Sequence, residues 1–220
     1  MEKKLLIFDL DGTLSDTEPI LSTIVLETLR DSGIAIGALS DIYSSFEEYG
    51  KEIIELKALV PAEYLDRIYR EKYSVDFWKN YERLCMGATE RVFEGMREAL
   101  DELKKRGYLI AVLSNKKNKF VQPIITEAFG EDCFDLVCGW DEVRPKKPDP
   151  TALLAIIDEL GVEKESAWMI GDLSCDYKAS VNAGINHIIA LWGYGKKNKF
   201  LKLGATVFAE SPLDLLGILK

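Results

Sequence analysis

Five short runs of almost unbroken apolar residues recur along this chain, at 5–10, 109–113, 136–138, 168–170 and 187–191. A strand that is apolar on both faces needs covering on both, which is the pattern of a parallel sheet held between helices. Longer stretches with helical spacing lie between the runs, at 96–106, 120–129, 151–160 and 176–182. Gly107, Gly130, Gly161 and Gly184 follow them, where a helix stops most easily. A weaker sixth run covers 206–209. The alternation makes the expected class α/β, with a doubly covered parallel sheet.

The stretch from Asp16 to about Gly87 breaks the rhythm. It reads as consecutive helices, over 20–29 and 66–83 for example, with no strand pattern between them. Helices inserted after the first strand account for it most simply. Aromatic residues there, among them Tyr43, Phe46, Tyr49, Phe77, Trp78 and Tyr81, could line a pocket, but their helical spacing favours core packing.

Composition narrows the function. Of 220 residues, 47% are apolar, ample for a sizeable core, and the net charge is −9. A chain that binds nucleic acid through phosphates carries the opposite balance, so nucleic acid is not an expected partner. No apolar run is long enough to span a membrane, and the first apolar stretch reads as a buried strand rather than a secretion signal. Cys85, Cys133, Cys138 and Cys175 form no C-x-x-C pair, which suits reduced thiols in the cytoplasm. The single histidine, His187, lies inside an apolar run and reads as a strand residue, with no nucleophile elbow to serve.

In a sheet of this kind ligands sit beyond the carboxyl ends of the strands. After the first run come Asp9 and Asp11, whose spacing puts both carboxylates on one side of an extended chain, and then Gly12, which permits a tight turn. Two like charges so close need a cation between them or a raised pKa on one. After the second come Ser114 and Asn115, potential donors to an anion. After the third, Pro148 restricts the backbone of Lys147 and so aims its ammonium. After the fourth, Asp172 ends the strand and Asp176 enters the next helix. Hard oxygen donors of this kind suit Mg2+, which also binds phosphate oxygens.

Together these residues resemble the haloacid dehalogenase-like phosphatases. Asp9-Leu10-Asp11-Gly12-Thr13 looks like the first motif of that superfamily, Ser114-Asn115 the second, Lys147 the third, and Gly171-Asp172 with Asp176 the fourth. Leu173 stands where Ser or Thr is common. Val92-Phe93-Glu94-Gly95 and Trp192-Gly193-Tyr194-Gly195 resemble the phosphoglycolate phosphatase-like branch. The resemblance implies a three-layer Rossmann-like core from residues 1–15 and 88–220, with 16–87 as a small α-helical cap of the C1 type. Thr17, Glu18 and residues 87–89 would be its hinges.

It also implies a Mg2+-dependent phosphatase acting on a small phosphorylated metabolite, as a monomer or homodimer. Asp9 would be the nucleophile, forming an aspartyl-phosphate, and Asp11 the general acid and base. Asp9, the Asp11 carbonyl, Asp172 and Asp176 would hold the metal. Gly12, Thr13, Ser114, Asn115 and Lys147 would hold the transferring phosphate. The same core also serves phosphomutases of the β-phosphoglucomutase type and nucleotide monophosphate or pyrophosphate hydrolases. A catalytically silent interaction module would lack Asp9, Asp11 or the Asp172–Asp176 pair, and all four acids are present.

Overall fold

A computed structural model of the chain describes residues 3–31, 67–85 and 91–219. The chain divides into two compact units, Met1–Asp16 with Glu90–Lys220 and Thr17–Thr89.

The first unit is built on a six-stranded sheet whose paired strands are all parallel. Its strands are β1 (Lys4–Phe8), β4 (Tyr108–Lys117), β5 (Leu136–Trp140), β6 (Ala167–Gly171), β7 (Asn186–Ala190) and β8 (Phe208–Ala209), in the order β5-β4-β1-β6-β7-β8. β1 is therefore central, with Phe8 level with Val112 of β4 on one side and Ile170 of β6 on the other. Alternation along these strands explains the layers. Leu5, Ile7, Ala111, Leu113, Ala167 and Met169 form one core cluster with Ala152, Leu153, Ile156 and Ala179 from the helices Thr151–Leu160 and Ser174–Ala183. Leu6, Phe8, Ile110 and Val112 point to the opposite face and are also fully buried. The helix Met96–Lys105, which buries Met96, Ala99, Leu100 and Leu103, packs on β4.

The α/β class and every apolar run match this sheet, and Gly107, Gly130, Gly161 and Gly184 all take positive φ. His187 lies in β7 with its ring edge-on to Tyr177 at 4.8 Å, and burial lowers its pKa. The differences are local. β1 ends at Phe8, two residues before its apolar run does, because the Leu10 carbonyl accepts the N–H groups of Thr13, Leu14 and Ser15 in a tight turn. β4 continues four residues past the run, to Lys117. A two-residue strand, β2 (Ser15–Asp16), pairs antiparallel with β3 (Arg91–Val92) at the two chain crossings into the second unit. Strands of two residues are too short to show any period, so the sequence reads past them.

In the second unit the helices Glu18–Asp31 and Arg67–Cys85 pack on each other. Ile24, Val25 and Leu29 are buried on the first, Phe77 and Tyr81 on the second. Phe77, Trp78 and Tyr81 contact one another with ring centroids 5.3–5.9 Å apart, as core aromatics do. Buried Asn80 donates to Asp31 Oδ2 at 2.9 Å, and Arg83 pairs with Glu27. Tyr43, Phe46, Tyr49 and residues 87–89 lie outside the described residues. Among the described residues no helix is long and apolar enough to cross a membrane.

Leu153 is fully buried between helix and sheet. Leu153→Ala leaves a cavity there and should lower stability by about 2–5 kcal/mol. Urea unfolding should show a lower midpoint with an unchanged slope.

Candidate active site

The three central strands, β4, β1 and β6, bring the chemistry-bearing residues to one end of the sheet. Asp9 follows β1 directly, and its N–H continues the pairing with β6 through the Ile170 carbonyl at 2.9 Å. Its Oδ1 accepts the N–H of Leu10 at 2.8 Å. Asp172 follows β6 and is fully buried. Its Oδ1 accepts the Thr13 hydroxyl and its Oδ2 the Tyr194 N–H, each at 3.0 Å. Asp176 lies in the first turn of Ser174–Ala183, and its Oδ2 accepts the N–H of Leu173 at 2.9 Å.

Lys147 reaches into this group from the loop after β5. Its Nζ donates to the Leu113 carbonyl at 2.8 Å and lies 2.9 Å from Asp9 Oδ1 and 2.7 Å from Asp176 Oδ1. Its backbone is clamped at two points. The Lys147 N–H donates to Asn115 Oδ1 at 2.7 Å, and Asn115 Nδ2 donates to the Lys147 carbonyl at 3.0 Å. The Asn115 side chain thus holds the lysine backbone from both sides.

Asp9, Asp172 and Asp176 each present a carboxylate oxygen within 4.8 Å of the other two. At that distance and an effective dielectric near 20, each pair of charges repels by about 3.5 kcal/mol. Among these four side chains, one ammonium stands against three carboxylates, a formal excess of two negative charges. Burial pushes the Asp9 carboxyl up to about 7; Lys147 opposes that rise, and Asp176, Asp172 and Asp11 add to it. Burial alone would depress the Lys147 ammonium, yet Asp176 and Asp9 outweigh it and the net displacement is upward. Buried, oxygen-only donors with a twofold charge deficit fit a hard divalent cation.

The loops are shaped to let this group close. Gly12 has φ +82°, and a Cβ there would fall 2.3 Å from Asp172 Oδ2 and 2.6 Å from the Tyr194 ring. Gly193 lets the loop after β7 settle on Asp172, since a Cβ on it would meet the Gly12 carbonyl at 2.2 Å. Trp192 Nε1 donates to the Thr13 carbonyl at 2.9 Å, tying that loop to the turn after β1.

Asp11 stands apart. Its Oδ1 lies 3.1 Å from Lys116 Nζ, and Lys116, like Lys147, is buried. Ser114 is buried, and its Oγ accepts the Lys116 N–H at 3.1 Å. Of the residues singled out from the sequence, Asp9, Lys147, Asp172 and Asp176 meet in one cluster. Asn115 and Thr13 act on members of it, Gly12 makes room for it, Asp11 sits with Lys116, and Ser114 lies against the Lys116 backbone. Lys116, Tyr194 and Trp192 were not assigned roles beforehand. The signal for Lys116 was its position two residues after Ser114, on the same side of an extended chain.

The family model for haloacid dehalogenase-like hydrolases matches residues 6–190. A phosphoglycolate phosphatase of Colwellia psychrerythraea is 33% identical over 88% of this chain and 86% of its own length. One from Aquifex aeolicus is 31% identical over 89% and 88%. Among solved structures, a haloacid dehalogenase-like family hydrolase from Streptococcus pneumoniae superposes with a TM-score of 0.85 at 19% identity, covering 99% of both chains, which is a likeness of fold.

The raised pKa of Asp9 gives a signed stability test in metal-free buffer. The native carboxyl keeps a proton that the unfolded one gives up near 3.8, so its contribution is complete below about pH 4 and is lost as pH climbs to about 7. Asp9→Asn removes that titration. The variant's stability relative to the parent chain, from urea unfolding in EDTA, should therefore rise steadily from pH 4 to pH 7.

Proposed function

The chain belongs to the haloacid dehalogenase-like hydrolase family, and from that membership we propose that it is a Mg2+-dependent phosphatase of a small, phosphoglycolate-like phosphate monoester. The observation that carries this reading is the twofold charge deficit at Asp9, Asp172 and Asp176, beside one fixed ammonium at the carboxyl ends of the central strands. The phosphoglycolate phosphatases at 31–33% identity support the substrate class.

A Mg2+ ion held by Asp9, Asp172, Asp176 and the Asp11 carbonyl would supply positive charge to the phosphate oxygens, whose repulsion otherwise keeps nucleophiles away. The remaining work falls to the chain itself. Asp9 is the nucleophile: Oδ1 is held by Leu10 N–H and Lys147, which fixes the carboxylate and leaves Oδ2 to attack phosphorus. Lys147 and the Ser114 hydroxyl bind the transferring group, with Asn115 keeping the lysine in place. Thr13 and the Tyr194 N–H orient Asp172. Asp11 gives a proton to the departing alcohol and later takes one from the water that opens the aspartyl-phosphate. The insertion at 16–87 is a helical cap that selects the leaving group, a role supported by its place directly after the first motif and by its compactness as a unit of its own.

A panel of phosphorylated metabolites assayed for released phosphate tests the reading. Activity should require Mg2+ and vanish with EDTA. Isomerisation of a sugar phosphate without net phosphate release would make the chain a mutase instead. Asp9→Asn should lower turnover by about a thousandfold or more with its circular dichroism unchanged, and retained hydrolysis by that variant would remove the covalent step.

A further inference from the structure

Lys116 is a buried cation that the reaction as described leaves without a task. Its ammonium lies 3.1 Å from Asp11 Oδ1, with side-chain exposures of 3% and 16%. Taking an ammonium out of water costs several kcal/mol unless it is paired, and the Asp11 carboxylate is a partner at pairing distance. Its backbone is equally fixed. It lies in the last part of β4, its N–H rests on Ser114 Oγ, and β5 crowds it closely. A Cβ on Gly139 would come within 2.8 Å of the Lys116 carbonyl and 2.6 Å of Asn118 Cα, and the Gly139 N–H donates to Asn118 Oδ1 at 2.9 Å.

We propose that Lys116 is the positioning residue for Asp11: it pins one carboxyl oxygen and so fixes the direction in which the acid presents its proton. This rests on the reading of Asp11 as proton donor given above. In the step concerned, an oxygen of Asp9 forms a bond to phosphorus as the bond from phosphorus to the alcohol oxygen breaks. The electron pair of the broken bond goes to that oxygen, and the Asp11 proton moves onto it, so the alcohol leaves neutral. A carboxyl free to rotate would meet the departing oxygen in the right direction only part of the time. Lys147 already supplies the buried cation beside Asp9, so a second ammonium held on Asp11 is placed for the leaving group rather than for the nucleophile.

The test separates proton donation from everything else by changing the leaving group alone. Phenyl phosphate and p-nitrophenyl phosphate have the same shape around phosphorus, but nitrophenolate departs readily without a proton and phenolate does not. The ratio kcat/KM covers only the steps through alcohol release, so it isolates this event. In Lys116→Met the loss on phenyl phosphate should exceed the loss on p-nitrophenyl phosphate by about tenfold or more, a fraction of what general acids contribute. Lys116→Arg, which keeps the charge, should recover most of that selectivity and decides the matter should the Met variant not fold. In an Asp11→Asn background, Lys116→Met should widen the ratio no further. Mg2+ binding by calorimetry should match that of the parent chain. Equal losses on both esters, or weakened Mg2+ binding, would overturn the proposal and leave the phosphatase reading standing. A parent chain that hydrolyses neither ester would overturn both.

Discussion

The site depends on one ammonium in a place where an ammonium is costly. Lys147 is buried at the centre of the sheet's carboxyl end, against Asp9, Asp176 and the Leu113 carbonyl. Removing it would leave three carboxylates facing one another in a low-dielectric surrounding. The surrounding structure is arranged around that constraint. Asn115 holds both backbone groups of Lys147, so the loop after β5 cannot slide without breaking two hydrogen bonds at once. Thr13, Tyr194 and Leu173 supply neutral donors to the carboxylate oxygens that the lysine does not reach.

Only a parallel sheet with β1 in the middle assembles this group from such distant parts of the chain. Asp9, Asn115, Lys147 and Asp172 span more than half of the sequence, yet each lies at or just beyond the end of one of three adjacent strands, or in the loop from the next one. The strands are apolar on both faces, so the floor beneath the carboxylates is hydrocarbon. That floor strengthens both the repulsion within the cluster and its attraction for a cation. The apolar runs that define the fold therefore also set the electrostatics of the site.

This explains which parts were legible beforehand. Doubly apolar runs and helical spacings are strong periodic signals, and the sheet follows from them. Asp9, Asp172, Asp176 and Lys147 are legible together rather than singly: a charged loop or a strand-end acid alone reads as ordinary surface, whereas their joint occurrence after successive strands points to one site. Lys116 was hidden because the apolar run stops at Leu113, whereas the strand goes on to Lys117, with its register shifting after Leu113. A polar strand tail looks like a loop until a neighbouring strand is known to pair with it. The resemblance implies phosphate roles for Thr13 and Asn115, but their contacts to Asp172 and the Lys147 backbone bridge 159 and 32 residues and leave no trace in local sequence.

The two lysines also resolve a problem posed by the first motif itself. Asp9 and Asp11 are chemically identical and two residues apart, yet the proposed reaction needs one as the nucleophile and the other as a carrier of protons. Their surroundings differ in composition rather than in degree. Asp9 shares a single ammonium with two other carboxylates, so its neighbourhood is short of positive charge and favours a divalent cation. Asp11 has Lys116 beside it and is not one of the three clustered carboxylates. Environments that push like groups apart are what assign acid, base and nucleophile in enzymes that use paired carboxylates. Here two strands set a different cation beside each acid, Lys116 from β4 beside Asp11 and Lys147 from beyond β5 beside Asp9.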